Sequence, residues 1–139
     1  MREGSRANAL LMELLLVIFF FMIGAAILVQ LFADARHKSI QARAASESLA
    51  EGQNCAEAIY ALDGDDDPEQ WLADYGFKRT DDGKWVLERE DYKLTITAKA
   101  PEKTASGSIR TYNITAEGDG VELYTLPSTR YLPSKEVAP

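Results

Sequence analysis

Hydrophobic positions along the chain follow three successive patterns: an unbroken apolar run, then helical spacing, then strand alternation. In the run, residues 14–33, Gln30 is the only polar side chain. Twenty residues of α-helix are about 30 Å long, which matches the hydrocarbon core of a bilayer. We therefore predict a polar, flexible leader over residues 1–8 and a transmembrane helix over residues 9–33.

The helix is expected to continue into water over residues 34–62. This stretch is rich in good helix formers, and the chain has no proline before Pro68. Its apolar or small positions recur at steps of three and four, which puts them on one face that another element should cover. These positions are Ala45, Leu49, Gly52, Ala56 and Ile59. Off this stripe lie Glu47, Glu51 and Glu57, which are expected to face solvent.

Residues 63–139 are predicted to form an acidic turn, a short helix and an antiparallel sheet. Asp67 is suited to the N-cap of the short helix, Pro68 to its first position and Gly76 to its end. The inner side of this helix should carry Trp71, Leu72 and Tyr75. From Phe77 onward the period changes to two.

The alternation is clearest in two segments. Tyr92, Leu94, Ile96 and Ala98 form one apolar face, and Tyr112, Ile114 and Ala116 form another. Turns are predicted at residues 81–83 and 118–120. Residues 101–107 are expected to form a loop, and the chain after Pro127 is expected to form an edge strand or a loose end. The expected fold is α+β: a long N-terminal helix, its first half transmembrane, packed on a three- or four-stranded antiparallel sheet.

Charge and cysteine content restrict the possible functions. The net charge of the chain is -7, and residues 44–139 hold nineteen Asp and Glu against ten Lys and Arg, a net of -9. This argues against nucleic acid and anionic lipid as partners of the soluble part. Cys55 is the only cysteine, so no intramolecular disulfide can form, and it is expected to pack as a small apolar side chain.

The sequence contains no nucleotide-binding glycine loop and no paired catalytic carboxylates. His37, the only histidine, lies beside the basic residues that follow the run, which is ordinary at a membrane interface. We therefore expect no enzymatic activity, no catalytic residues and no cofactor.

One acidic stretch imitates a calcium loop. Asp63, Asp65 and Asp67, with Asp74 further on, have the spacing of an EF-hand, but Pro68 occupies the position that requires glycine. A solvated acidic turn ending in a helix cap explains the same residues, and no metal site is assigned.

The start of the chain allows two interpretations. Arg2 and Arg6 precede the run, and the triplet Ala33-Asp34-Ala35 imitates a signal-peptidase site. The run is longer than the apolar core of a cleaved signal, and Glu13 stands at its head, which favours an uncleaved signal-anchor. We expect a single-pass protein of a bacterial cytoplasmic membrane, with the N-terminus inside and the C-terminal domain outside.

The segment Leu10-Leu11-Met12-Glu13-Leu14-Leu15-Leu16, with the basic leader and the helix–sheet architecture, resembles the type IV pilin and pseudopilin family, as a divergent minor-pilin-like member. The resemblance implies a prepilin peptidase that cuts between Asn8 and Ala9, so that Ala9 becomes an N-methylated terminus and Glu13 the fifth residue. Leaders of the family nearly always end in glycine, whereas this one ends in Asn8.

The resemblance also implies assembly with other pilin-like subunits through the apolar helix. There the carboxylate of Glu13 meets the amino terminus of a neighbour. The shaft residues are Leu14, Val17, Phe20, Phe21 and Ile27. Alternatively, Glu13 reaches the cytoplasmic headgroups. Gly24, with Ala25 and Ala26, offers a surface for close helix contact or reflects the ordinary composition of membrane helices.

Three functions follow. The first is a structural subunit of a type IV pilus or of a secretion or DNA-uptake pseudopilus. The second is a single-pass membrane anchor that never polymerises and carries an exported binding domain. The third is a secreted domain released after Ala35.

Overall fold

A computed structural model describes residues 2–134 of the chain, with side chains from residue 3 onward. The chain divides into two compact units, the first ending at Ser39 and the second beginning at Ile40. Its fold class is α+β, as predicted. The elements in chain order are α1 (Arg2–Ala61), α2 (Pro68–Tyr75), β1 (Lys78–Arg79), β2 (Trp85–Glu88), β3 (Lys93–Ala98), β4 (Glu102–Thr104), β5 (Gly107–Gly118) and β6 (Val121–Pro133).

Helix α1 is continuous from Arg2 to Ala61, close to the predicted end at residue 62. No proline interrupts it, and Gly24 and Gly52 are tolerated inside it. The described part of the leader is also helical, which corrects the expectation of a flexible leader. The physical reason is that nothing before residue 9 breaks a helix.

The buried stripe of α1 agrees with the predicted one at Gly52 and Ile59 and is displaced by one residue at the other three positions. Within the second unit the buried positions are Ala44, Ser48, Gly52, Cys55 and Ile59. Leu49, predicted to be covered, is 38% exposed, whereas Ser48 is fully buried. The hydrophobic pattern alone did not predict these positions, because α1 comes closest to the sheet where its side chains are small. A Cβ at Gly52 would lie 2.7 Å from the hydroxyl oxygen of Tyr124.

Helix α2 has both predicted ends. The side chain of Asp67 accepts a hydrogen bond from the backbone N–H of Glu69 at 3.0 Å, Pro68 begins the helix, and Gly76 ends it with φ of 115°. Leu72 is buried as expected, while Trp71 is half-buried and stacks on the partly exposed Tyr75 with ring centroids 5.1 Å apart.

The six strands form one antiparallel sheet in which β5 is central. β6 pairs with β5 along its length, and β3 and β4 share the other edge of β5, followed by β2 and β1. The β5–β6 turn is the predicted one, and Asp119 and Gly120 both have positive φ, as a type I′ hairpin requires.

The sheet therefore has six strands where three or four were expected. The predicted loop contains β4, because Ala105 and Ser106 make a tight turn that pairs Thr104 with Gly107. The predicted loose end is the second half of β6, which extends to Pro133.

The core lies between the second half of α1, α2 and the inner face of the sheet. The alternation predicted in β3 and β5 is confirmed at Leu94, Ile96 and Ile114, which are almost completely buried. Cys55 and Ile59 supply the α1 side of this core and are fully buried. Burying side chains of this size is worth about 1.5–3 kcal/mol each.

Candidate functional site

The first unit presents an apolar surface that no other part of the described chain covers. Helix α1 holds one stretch apolar and long enough to cross a membrane, with a mean hydropathy of 2.8 and 0% of it buried within the described residues. Every described side chain from Glu3 to Ile40 is exposed. Such a surface requires lipid or other protein around it.

The predicted assembly residues lie on one side of this helix. At about 100° per residue, Glu13 and the five apolar residues fall within about 140° of the helix circumference. These residues are Leu14, Val17, Phe20, Phe21 and Ile27, each more than half exposed. Gly24 lies near the middle of the same arc. We call this surface the Glu13 face.

A shallow groove marks the Glu13 face at Gly24. It is lined by Val17, Phe20, Phe21, Gly24, Ala25 and Leu28. The groove exists because Gly24 has no side chain while the residues one turn before and after it are large. A groove of this kind allows the side chains of a second helix to approach closely.

The predicted processing residues lie near the start of the same helix. Asn8 and Ala9 are exposed and helical. Ala9 precedes Glu13 by four residues, so the two share one side of α1 and are separated by about 6 Å along its axis. A new amino terminus at Ala9 would therefore bring a positive charge to about one turn from the Glu13 carboxylate.

A polar cluster around Glu51 connects α1 to the sheet in the second unit. The Glu51 carboxylate accepts hydrogen bonds from Arg89 Nη2 at 2.5 Å, from the Tyr92 hydroxyl at 2.5 Å and from the Tyr75 hydroxyl at 3.2 Å. Its side chain is 12% exposed, which corrects the expectation that Glu51 faces solvent. Sequence reasoning missed this cluster, although Glu51 lies one turn from both Ser48 and Cys55 on the displaced stripe.

The cluster shifts the proton affinity of each partner. Burial acts to raise the pKa of Glu51, but the hydrogen bonds from Arg89 and Tyr92 outweigh it and hold this pKa below its usual value. The hydrogen bond to Glu51 raises the pKa of Arg89. The pKa of Tyr92 is raised mainly by burial and, to a lesser degree, by its hydrogen bond to the Glu51 carboxylate. The cluster is therefore a charged Glu51–Arg89 pair that also accepts hydrogen bonds from two neutral phenols at neutral pH, which stabilises the fold.

Inner-face side chains of β6 bind backbone carbonyls of α1 and of the loop after it. The Tyr124 hydroxyl donates to the carbonyl of Ser48, and Ser128 Oγ donates to that of Ala56 at 2.9 Å. Arg130 is 4% exposed and donates to the carbonyls of Asp63 and Asp66. Polar contacts of this kind explain why the end of the chain is a long strand.

The acidic turn is held by its own hydrogen bonds. Asp66 Oδ2 accepts from the backbone N–H of Asp63 at 3.1 Å, and Asp67 caps α2. Within residues 2–134, no group of three or more His, Cys, Asp or Glu side chains is arranged to hold a metal ion. The hydrogen bonds of Asp66 and Asp67 hold the turn and the start of α2.

Two further features of the second unit are a buried thiol and a cavity. Cys55 is fully buried, and burial raises the pKa of its thiol to about 12, so it stays protonated and shielded from solvent. A cavity of about 440 Å³ lies beside the end of α2, between Tyr75, Lys78, Val86 and Arg89. Its size is that of a small-molecule site, and its lining also includes Thr80 and Glu88.

The chain was compared with known protein families, with curated proteins and with solved structures, and it matches none of them.

Proposed function

We propose that the chain is a structural subunit of a type IV pilus or of a related secretion or DNA-uptake pseudopilus. It assembles in or from a bacterial cytoplasmic membrane through the Glu13 face of α1. The observation that carries this proposal is the grouping of a carboxylate, a small-residue groove and large apolar side chains on one side of an uncovered apolar helix.

Lipid alone accounts for the apolar side chains but not for Glu13. A carboxylate next to a membrane span is costly unless it reaches water or a counter-charge. Met12 and Leu11 continue the hydrophobicity on its N-terminal side, so the carboxylate stands inside the apolar segment. An amino terminus on a neighbouring copy would neutralise it and fix the axial register of the two helices.

Cleavage between Asn8 and Ala9 would supply that counter-charge. The leader removed would be residues 1–8, and the new amine would lie at the end of the apolar helix. An amine in its own chain lies about 6 Å from Glu13 along the axis, whereas a staggered neighbour can place its amine directly against the carboxylate. The resemblance to prepilins and this geometry support the same cut.

The intact mass of the membrane-bound protein tests the proposal. A chain that begins at N-methylated Ala9 and is found in a sheared filament fraction supports a pilin-like subunit. A chain that keeps Met1 and stays in the membrane fraction supports the anchored binding module instead. A chain beginning at Arg36 in the medium supports the secreted domain, and either of these last two results refutes the proposal.

A substitution at Glu13 tests assembly separately from folding. Glu13→Gln removes the charge with little change in shape and is expected to lower the filament-bound fraction at least about tenfold, the effect of about 1.4 kcal/mol. Glu47→Gln, an exposed carboxylate on the soluble half of α1, is the matched control and should leave assembly unchanged. Normal incorporation of the Glu13→Gln chain would contradict the pairing role.

A further inference from the structure

The sheet has a long free edge along β6. Within residues 2–134, β1, β4 and β6 each pair with a single neighbouring strand, so each leaves one edge open. β1 and β4 have only two and three residues and carry charged side chains, and both properties protect an edge from pairing. β6 has 13 residues and no charged side chain between Glu122 and Arg130. It is therefore the edge of this sheet most open to another strand.

The strand register shows which backbone groups of β6 point out of the sheet. In an antiparallel pair, the N–H and C=O groups of alternate residues face opposite sides. The carbonyl of Thr111 accepts from the N–H of Lys99, which follows β3, so the even-numbered residues of β5 face β6. The N–H of Ser134 donates to the carbonyl of Ser106 at 2.9 Å, which places the even-numbered residues of β6 against β5. The odd-numbered residues from Thr125 to Tyr131 therefore present their backbone groups to the free edge.

Pro127 lies in the middle of this edge. It is exposed and stands opposite Asn113, at one of the positions whose backbone groups point outward. A proline here removes no hydrogen bond from the sheet, because an N–H at this position would not face β5. It removes one donor from the free edge instead, and its ring occupies the place of the missing N–H.

The sequence before Pro127 is of the kind that pairs with other strands. Residues 123–126 are Leu-Tyr-Thr-Leu, which are uncharged and have high strand propensity. A proline beside such a segment opposes aggregation, provided that the proline stands where its N–H is not needed. Pro127 meets that condition.

A second copy of the chain offers a matching edge. Two β6 edges can pair antiparallel about a two-fold axis at Ser128, which sets Thr125 opposite Tyr131 of the second copy and residue 127 opposite its Thr129. Each of these outward residues then belongs to a hydrogen-bonded pair. With proline at position 127, each copy loses one donor, and each proline ring meets a carbonyl of the other strand.

We infer that Pro127 keeps the free edge of β6 from pairing with the same edge of a second copy. The inference does not rest on filament assembly, because every residue of this edge belongs to the second unit. A membrane-anchored domain would have the same edge. The test below can therefore fail while the mass measurement above succeeds, and the reverse.

Sedimentation equilibrium of the full-length chain in detergent tests the inference, because chains in separate micelles can meet in either orientation. Pro127→Thr restores the N–H and adds a strand-forming side chain. The antiparallel pair gains two hydrogen bonds, each expected to strengthen association about fivefold, so the self-association constant should rise at least about tenfold over that of the wild type. Association through α1 is common to all the chains compared and cancels in this ratio.

Two further chains control for the loss of a proline as such. Pro101→Thr removes an exposed proline outside the strands and should leave the self-association constant unchanged. Adding Thr129→Pro to the Pro127→Thr chain moves the proline two residues along the same edge. The N–H lost at Thr129 also points outward, so the bonds to β5 remain, and association should return to about the wild-type level.

Amide hydrogen exchange resolved by NMR checks the geometry of the edge. In the wild type, the N–H groups of Thr129 and Tyr131 should exchange much faster than those of Arg130 and Leu132, which face β5. The inference is overturned if Thr129 and Arg130 are equally protected, if Pro127→Thr associates no more than the wild type, or if Pro101→Thr associates as strongly as Pro127→Thr. Undiminished association after the proline is moved to position 129 would overturn it as well.

Discussion

Replacing Glu51 by glutamine should destabilise the second unit by about 2 kcal/mol. The change removes one charge while keeping the size of the side chain. Glu51 accepts from two Arg89 nitrogens, from the Tyr92 hydroxyl and from the Tyr75 hydroxyl. A glutamine offers one acceptor oxygen to these donors and turns an N–H group toward them, so at least one donor loses its partner.

The magnitude follows from burial. Hydrogen bonds to charged groups contribute about 1.5–3 kcal/mol each when buried. The Glu51 side chain is only 12% exposed, but that of Arg89 is 44% exposed, so solvent screens the pair and the lower part of the range applies. For a unit of about 100 residues, a loss of about 2 kcal/mol lowers the melting temperature by about 10 °C.

The effect should also depend on pH. The pKa of Glu51 is lowered in the folded chain, so its contribution is present above the unfolded value, about 4.3, and is lost as the pH falls through the lower folded value. The stability difference between wild type and Glu51→Gln should therefore be constant near neutral pH and shrink as the pH falls below about 4.

Tryptophan fluorescence during thermal unfolding in detergent measures the change, because Trp71 and Trp85 are the two tryptophans of the chain and both lie in the second unit. Glu47→Gln is the matched control: it breaks the exposed pair with Arg43 one turn earlier and should leave the midpoint unchanged. Equal midpoints for wild type and Glu51→Gln at pH 7, or equal losses in the two variants, would refute the reasoning.

Two other changes probe the α1–β6 contact and the core. Gly52→Ala should destabilise the wild type, because its Cβ would lie 2.7 Å from the Tyr124 hydroxyl, but should stabilise a Tyr124→Phe chain by up to about 1 kcal/mol through helix propensity. Denaturant midpoints of the four chains of this cycle measure the sign change, and a loss of stability in both backgrounds would contradict it. Cys55 should react with a maleimide at least about a hundredfold more slowly in the native chain than in denaturant, because it is fully buried and its pKa is raised to about 12. Fast native labelling, followed by mass, would show that α1 separates from the sheet.

The regular elements could be predicted because their side-chain patterns are local. Uninterrupted helix formers predicted α1, Asp67, Pro68 and Gly76 predicted α2, and the alternation at Leu94 and Ile96 predicted a buried strand face. Each signal depends on backbone propensity or on a period of burial, and both can be read over a few residues.

Contacts between distant polar residues could not be predicted in this way. Glu51 and Arg89 are far apart in sequence, and only the packing of α1 on the sheet brings them together. Ser48, Ser128 and Arg130 are polar side chains at buried positions, and hydrophobicity assigns them to the surface. Their burial is possible because backbone carbonyls of α1 and its loop accept their hydrogen bonds, which no sequence period reveals.

The outer face of the sheet, opposite α1, lies between these cases. Thr95, Thr97 and Thr115 were visible as the polar partners of an alternating strand, but their alignment with Thr125 and Thr129 depends on the β5–β6 register. That register depends on the turn at Asp119 and Gly120, which the sequence did predict, and on a β-bulge between Ala116 and Glu117, which it did not. The alignment of these hydroxyls therefore required the pairing of three strands, whereas their exposure required only the period.

Cysteine cross-linking within the apolar run tests most directly the claim that the chain assembles through the Glu13 face. In a Cys55→Ala background, Gly24→Cys and Leu28→Cys place thiols on that face at depths that match between neighbours staggered by four residues, whereas Ala26→Cys and Gln30→Cys have the same spacing but lie outside the face. After mild oxidation of native membranes in which the two chains of a pair are co-expressed, we predict a covalent dimer for the Gly24→Cys and Leu28→Cys pair and monomers for the Ala26→Cys and Gln30→Cys pair. Monomers in both cases, or dimers in equal yield, would contradict the account.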